Sequence, residues 1–343
     1  MATYDFLFDG AGLRDWCDTG KTGDGPVSMA DLLAKTGVSE EQTAWNLPFP
    51  SLDELNEACG SIAQSRDLTK GVENSFLAAK DALRFVLDPI TQPLSWLLES
   101  TLSVFEATPW WIMFPLLMIV VYFASKSVRL VIFVTACLLF LAFVDHYDHA
   151  MQTLAIIFVC ALLCVLFGVP IGIAMSRSNR LQRMTIPVLD MLQTLPPFVY
   201  LIPLIFLFSV TEPKLYGIAI ILYAIVPVIR LTDLGIRLVD KDVIEAADSF
   251  GMTDRQKLFG VQIPLALPNI MAGINQTIMM SLAMVVIASL VSAPGLGVLV
   301  LRGIRNLELG VGLVSGLGIV LLAIILDRVT KSALDRVNAA QKH

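Results

Sequence analysis

Polar side chains able to handle a solute are sparse in this chain, and they gather at three places. In the apolar run 187–209, Asp190, Gln193 and Thr194 precede Pro196 and Pro197, with Phe198, Tyr200 and Pro203 beyond. In the run 266–291, Asn275, Gln276, Thr277 and Ser281 form a second cluster. Polar groups inside membrane-length apolar runs are costly and mark solute or ion pathways. The same Asn, Gln and Thr side chains also bond one packed helix to another, and both readings stand for each residue. Prolines free backbone carbonyls, which are tolerated where they line a cavity. Gln193, Thr194, Pro196, Pro197, Tyr200, Asn275 and Gln276 are therefore the candidate path residues. The faces of Phe198 and Tyr200 suit a passing cation, though no aromatic cage surrounds them in the sequence. The third place is EAADSFGMTDRQKLFGVQIPLALP, residues 245–268, which sets five charged side chains between two apolar runs.

Covalent or hydrolytic chemistry has no visible seat. Gly20-Lys21-Thr22 invites a phosphate-loop reading, but that loop needs a glycine five positions earlier, where Asp15 stands. No nucleotide-hydrolysing loop is expected in this chain, and no catalytic residue is assigned here. No metal site is expected either: the three histidines are scattered, and His146 and His149 flank Tyr147 at a predicted loop. No Ser/His/Asp constellation falls within the apolar runs. Of five cysteines, Cys137, Cys160 and Cys164 lie in apolar runs and read as small hydrophobes. Cys17 and Cys59 lie in the N-terminal tail and can pair if that tail faces an oxidising space.

The elements that carry these residues follow from composition. The 343 residues are 56% hydrophobic and only 16% charged, against about 45–50% and about 25% in soluble domains. The charge-free runs are continuous and lack the period-two alternation of a barrel strand. The fold class is an all-α polytopic membrane protein. Seven spans are expected, at roughly 109–125, 129–145, 150–175, 187–209, 215–230, 266–291 and 309–327. Residues 1–75 read as an acidic, loop-like tail without a signal peptide. Residues 76–108 read as an amphipathic helix broken near Pro89 and Pro93, resting either on the membrane surface or on the protein's own outer face. Residues 336–343 form a short tail. Gly310, Gly312, Gly316 and Gly318 mark a closely packed final span.

Charge orients the set. Residues 1–108 hold seven Lys/Arg against seventeen Asp/Glu. After them, alternate connections hold Lys126 and Arg129; Arg177, Arg180 and Arg183; Arg230, Arg237, Lys241, Arg255 and Lys257; and Arg328, Lys331, Arg336 and Lys342. The opposite connections hold only Lys214, Arg302 and Arg305. The positive-inside rule puts the basic set in the cytoplasm, the acidic tail outside and the C-terminus inside. No basic patch suggests nucleic acid. Residues 293–304 are too short to span and predict a half-helix at the outer mouth, with Arg302 and Arg305 facing either a docking protein's acids or solvent and headgroups.

The charged segment is therefore cytoplasmic. Asp240, Asp242 and Glu245 favour a helix start over 240–250, and Gly251 can take the left-handed conformation that ends it. Thr253 with Gln256 predicts a capping box and a second short helix, which Pro264 and Pro268 are expected to end.

The spacing of Glu245-Ala246-Ala247, then Gly251, then Val261-Gln262-Ile263-Pro264 resembles the EAA loop of ABC-importer permeases. That family's usual ending is Ile-x-Leu-Pro, so two positions differ conservatively. PVLDMLQTLPPFVYLIPL, INQTIMMSLAMVVIASLV and VLRGI are similar to the permeases of glycine betaine, proline betaine and choline importers, and the likeness covers roughly residues 109–335. The resemblance implies a type I ABC-importer permease fold and a translocated quaternary-ammonium solute such as glycine betaine, proline betaine, choline or trimethylamine N-oxide. It implies a homodimer of two permease copies in lipid, two cytoplasmic ATPase subunits carrying ATP and Mg, and an extracytoplasmic substrate-binding protein. It assigns Glu245, Ala246, Ala247, Gly251 and Pro264, within a coupling loop over 240–264, to contact with the ATPase. The competing expectation, a self-sufficient secondary transporter, needs paired intramembrane acids or a buried basic partner for ion coupling, and Asp190 is its one clear candidate.

Overall fold

The computed structural model describes residues 49–341 and positions 4, 8, 12, 13, 16 and 17; of residues 57 and 337–341 it describes the backbone alone. Gly20-Lys21-Thr22, Asp15 and most of the acidic tail lie outside the described residues. The chain divides into two compact units, Met1–Leu83 and Arg84–His343. Every regular element described is helical.

In the first unit, α1 (Leu52–Ala58) starts at Ser51, whose hydroxyl accepts the Glu54 N–H at 3.3 Å. Asp53 then accepts both the N–H and the hydroxyl of Ser65, at 2.9 and 2.6 Å, where α2 (Ser65–Ala107) begins. Over residues 52–58 and 65–75 the loop-like expectation is corrected. Short polar side chains that look like loop formers are serving as helix caps. Cys17 and Cys59 form a disulfide.

α2 continues through Pro89 and Pro93, correcting the expected break. Each proline removes one N–H from the ladder. The flanking face is exposed at Phe85 and Ile90, so the freed carbonyls can reach solvent, and Thr91 donates its hydroxyl to Leu87 O at 2.8 Å.

The second unit holds the remaining elements. They are α3 (Trp110–Ser125), α4 (Val128–Phe143), α5 (Tyr147–Arg177), α6 (Asn179–Thr194), α7 (Pro197–Leu207), α8 (Pro213–Arg237), α9 (Lys241–Ser249), α10 (Asp254–Lys257), α11 (Ile263–Ala288), α12 (Leu296–Arg305) and α13 (Leu309–Gln341). A helix stands at each predicted span. By length and apolarity, α5, α8, the stretch Asp254–Val291 and Leu309–Arg336 can each cross a membrane. The pairs α2–α3 and α6–α7 pass the same test only as bent pairs, turned by 114° and 96°, and α4 is a shorter apolar helix of 16 residues. The predicted fourth span, 187–209, is thus not straight. Leu195 precedes proline and is held extended at φ −68°, ψ 132°, because the proline ring disfavours helical backbone at that position.

Small residues set the packing. A Cβ on Gly168 of α5 would lie 2.4 Å from Val228 Cγ1, and one on Gly172 would lie 2.6 Å from Thr232 Cβ and 2.7 Å from Ile229 O. From the other side, a Cβ on Gly273 of α11 would come within 3.0 Å of Val228 Cα. α8 is therefore the central helix, clasped between α5 and α11 at backbone distance. In lipid such close van der Waals contact replaces the hydrophobic drive that water would supply. Met113, Leu138, Leu141, Met151, Leu296 and Leu322 form a second core joining α3, α4, α5, α12 and α13. Of the four glycines of the final span, Gly312 meets Gly303 of α12 and Gly318 faces Leu141 and Leu296; Gly310 and Gly316 face open space.

Within this unit, residues 84–107 of α2 pack on the protein. Ser95 and Leu98 are buried, and Ser95 Oγ accepts the Lys214 N–H at 3.2 Å. The Lys214 ammonium, with 4% of its side chain exposed, pairs with Asp88 at 2.7 Å and Glu212 at 2.8 Å. It lies 5.1 Å from the centre of the Phe208 ring. Arg84 closes the group on Asp88 and Glu212 at 3.1 and 3.3 Å.

Candidate functional site

The charged segment folds as a bent bracket built from local chemistry. Asp240 accepts the Asp242 N–H at 3.0 Å and starts α9. At its far end Gly251 sits at φ +73°, a conformation open to glycine and costly for most L-residues. The Gly251 N–H reaches Asp248 O at 2.9 Å and the Met252 N–H reaches Ala247 O at 3.2 Å, so the helix end is satisfied. Thr253 and Gln256 form the reciprocal capping box, with the Thr253 N–H donating to Gln256 Oε1 at 2.9 Å. Lys257 then bridges the hinge, 2.5 Å from Asp248 and 3.5 Å from Asp254. These ties fix the angle between α9 and α10. Ala247 is buried, while Val243, Glu245, Ala246 and Phe250 are exposed, Phe250 at 89%. The apolar face expected of this helix is thus largely uncovered.

Pro264 and Pro268 do not end the second helix. A π turn over Leu258–Gln262 carries α10 straight into α11. There the Ile263 N–H skips to Leu258 O, five residues back. Pro264, which has no N–H to give, enters the run directly after this wider turn. Bracket and span form one helical run from Asp254 to Val291.

The predicted path residues divide. Gln193 and Tyr200 stand on either side of the Leu195–Pro196 break and both face α11. Gln193 Nε2 lies 3.7 Å from Met280 Sδ, and the Tyr200 hydroxyl lies 3.8 Å from Met284 Sδ. Gln276, Met280 and Met284 share that helix face by their four-residue spacing. Asn275, one position away, turns to α13 and donates to Asp327 Oδ1 at 3.1 Å. Thr194, Pro196 and Gln276 are exposed and Pro197 is half-buried. Thr277 and Ser281 are buried, and their hydroxyls lack a hydrogen-bond partner. Arg302 pairs with Glu308 at 3.3 Å, and Arg302 and Arg305 are both exposed at the end of α12.

Several polar contacts escaped sequence reasoning. Asp190 is ion-paired with Arg230 of α8. Asp233, 7% exposed, accepts from Arg237 at 2.8 Å and from Gln182 at 2.6 Å. Only the density of charge near residue 230 hinted at either.

Helices of this length and apolarity, packed through glycine around α8 and continued into a hinged polar bracket, define a polytopic all-α membrane protein. The fold is that of a chain in inward facing conformations of the MetNI methionine ABC transporter. The likeness has a TM-score of 0.51 at 18% identity, over 56% of this chain and 95% of that one. Residues 165–341 match the family described as binding-protein-dependent transport system inner membrane component, and the chain belongs to that family. It is 50% identical over 190 residues to the glycine betaine/proline betaine transport system permease protein ProW of Escherichia coli. That match spans 55% of this chain and about half, 53%, of the relative. It is 42% identical to the glycine betaine transport system permease protein OpuAB of Bacillus subtilis, over 67% of this chain and 76% of the relative. It is 40% identical to the glycine betaine/carnitine transport permease protein GbuB of Listeria monocytogenes, over 71% and 87%.

Proposed function

We propose that this chain is the membrane-spanning permease subunit of an ATP-driven importer for a quaternary-ammonium compatible solute. The observation that carries the proposal is the pinned, glycine-hinged bracket at 240–262, joined without interruption to the helix whose Met280 and Met284 face the α6–α7 break. A bracket with its apolar face uncovered suits docking into a separate ATPase that supplies ATP and Mg. In this proposal Glu245, Ala246, Ala247 and Gly251 form the docking element, and Pro264 sits at its junction with the span. Two copies of the chain, two ATPase subunits and an extracytoplasmic binding protein make the working assembly. Relatives named for glycine betaine, proline betaine and carnitine support the solute class.

The thioether- and amide-lined contact at the break suits weak, passing contact rather than tight binding, as conduction requires. In this reading solute selection lies on the binding protein, with Arg302 and Arg305 at the outer mouth. The N-terminus lies outside and the C-terminus in the cytoplasm. The Cys17–Cys59 disulfide supports that orientation, since such bonds persist in oxidising compartments. Asp190 has a basic partner in Arg230, but with side chains 52% and 39% exposed the pair is not the buried one that ion coupling would use.

The test is reconstitution with the co-purifying ATPase and binding protein in proteoliposomes. Uptake of labelled glycine betaine that requires ATP and both partners is expected. Uptake by the chain alone under an ion gradient refutes the proposal in favour of secondary transport.

A further inference from the structure

We infer that Arg237 and Asp233 are positioning residues that lock α6 to the basic end of α8, so that movement of the bracket reaches the α6–α7 break through a second route besides α11. The inference rests on the transport function proposed above.

Arg237 is the last residue of α8, four positions before α9 begins. Its guanidinium joins three helix ends. Nε donates to Asp233 Oδ1 at 2.8 Å on its own helix, one NH2 group donates to Asn179 Oδ1 at 2.8 Å, and the other to Met175 O at 2.7 Å. Asn179 is the first residue of α6, and Met175 O, in the last turn of α5, accepts the Ser178 N–H at 3.1 Å as well as the guanidinium. Asp233 spends its second oxygen on Gln182 Nε2, also on α6, at 2.6 Å. Two turns further along the same two helices, Asp190 pairs with Arg230. Residues 182 and 190 of α6, and 230, 233 and 237 of α8, each fall on one helix face by spacing. α6 is thus tied to α8 near both ends of its length by contacts that each include a charged group, and its last turn carries Gln193 and Thr194 to the break.

The consequence is mechanical. Arg237 stands between the bracket and α6, and its planar, multidentate fork holds α5, α6 and α8 in one register. A displacement of α9 that pulls on the end of α8 therefore carries α6 with it, and α6 ends where the backbone is broken by Pro196 and Pro197. The path is then opened from both sides of the Gln193–Met280 contact, by α11 and by α6.

The experiment uses the reconstituted assembly and reads solute taken up per ATP hydrolysed. Arg237→Gln keeps a polar side chain but loses the fork and charge; Asp233→Asn loses the charge and one acceptor. Each is expected to insert and to bind the ATPase. Each is expected to lower uptake per ATP roughly 2- to 30-fold, the range by which residues of a coupling network shift an equilibrium. A purely structural role predicts loss of assembled protein with the ratio unchanged, and that result overturns the inference. Should Arg237→Gln fail to accumulate, Gln182→Leu cuts only the α6 tie and is read in the same way. A spin-label distance between position 194 and position 245 that changes with ATP in the native chain, and ceases to change in the variants, supports the inference. An unaltered change in the variants refutes it. Absence of ATP-driven uptake in the native assembly sinks the transport reading itself, and so is distinguishable from failure of the variants alone.

Discussion

Replacing Gly251 by valine tests the hinge with little else disturbed. Gly251 sits at φ +73°, yet a Cβ built on it meets nothing within 4 Å. Substitution therefore costs backbone energy without collision. Placing an L-residue in the left-handed region costs roughly 1–2 kcal/mol, with a β-branched side chain at the upper end. Asparagine visits that region readily and costs less than alanine. At about 1.4 kcal/mol per factor of ten, this range is roughly 5- to 30-fold in the balance between bent and relaxed brackets, with valine near the upper figure. Alanine falls near the lower figure. The helix on either side keeps its caps at Asp240 and Thr253, so membrane insertion is expected to survive in all three variants. Uptake per ATP in proteoliposomes, measured beside the amount of ATPase retained on the purified chain, should fall in the order glycine, asparagine, alanine, valine. Native coupling in the valine variant, or an asparagine variant as poor as valine, would refute a role for the left-handed hinge.

Three further outcomes follow from packing and charge. Gly172→Val drives a side chain into Thr232 Cβ and the Ile229 carbonyl; overpacking of this kind costs about 1–3 kcal/mol and should lower the unfolding temperature in detergent, whereas Gly316→Ala, which faces open space, should leave it unchanged. Lys214→Met leaves Asp88 and Glu212, whose side chains are 34% and 28% exposed, with only Arg84 to balance them. The cost should be about 1–2 kcal/mol, below the roughly 3–5 kcal/mol of a fully buried pair, and faster hydrogen exchange over residues 84–98 would report it. The Ser65 hydroxyl and N–H hold the Asp53 carboxyl below its ordinary range. A lowered carboxylate contributes its stability above the ordinary value of about 4 and loses it as pH falls through the lowered one. Exchange at residues 65–68, corrected for intrinsic rates, should accelerate on that acid side, and Asp53→Asn should remove the dependence.

What the sequence disclosed was what is locally determined. Gly251, Thr253 and Gln256 act within one turn of themselves, so the hinge and capping box could be read from spacing. The spans could be read because apolar runs have few alternatives in lipid. The break at Pro196 was harder, since prolines are tolerated in spans and only packing shows whether the chain bends. The π turn before Pro264 was hidden, because its signature is a shift of hydrogen-bond partner and no residue type encodes it. Nothing in the apolar run set Met280 and Met284 apart, and only the fold puts Gln193 and Tyr200 against them. Asp190 with Arg230, and Gln182 with Asp233, are contacts 40 and 51 residues apart, beyond the reach of any periodicity. Pro89 and Pro93 misled for the opposite reason: an exposed helix face tolerates the carbonyls they release.

The run from Asp254 to Val291 is 38 residues long. At 1.5 Å per residue it measures about 57 Å, nearly twice the roughly 30 Å of a hydrocarbon layer. On the function proposed above it would work as an oar in a rowlock, its middle held by lipid and neighbouring helices and its blade in water. A small tilt applied at the wet end becomes a displacement of opposite sense beyond the pivot.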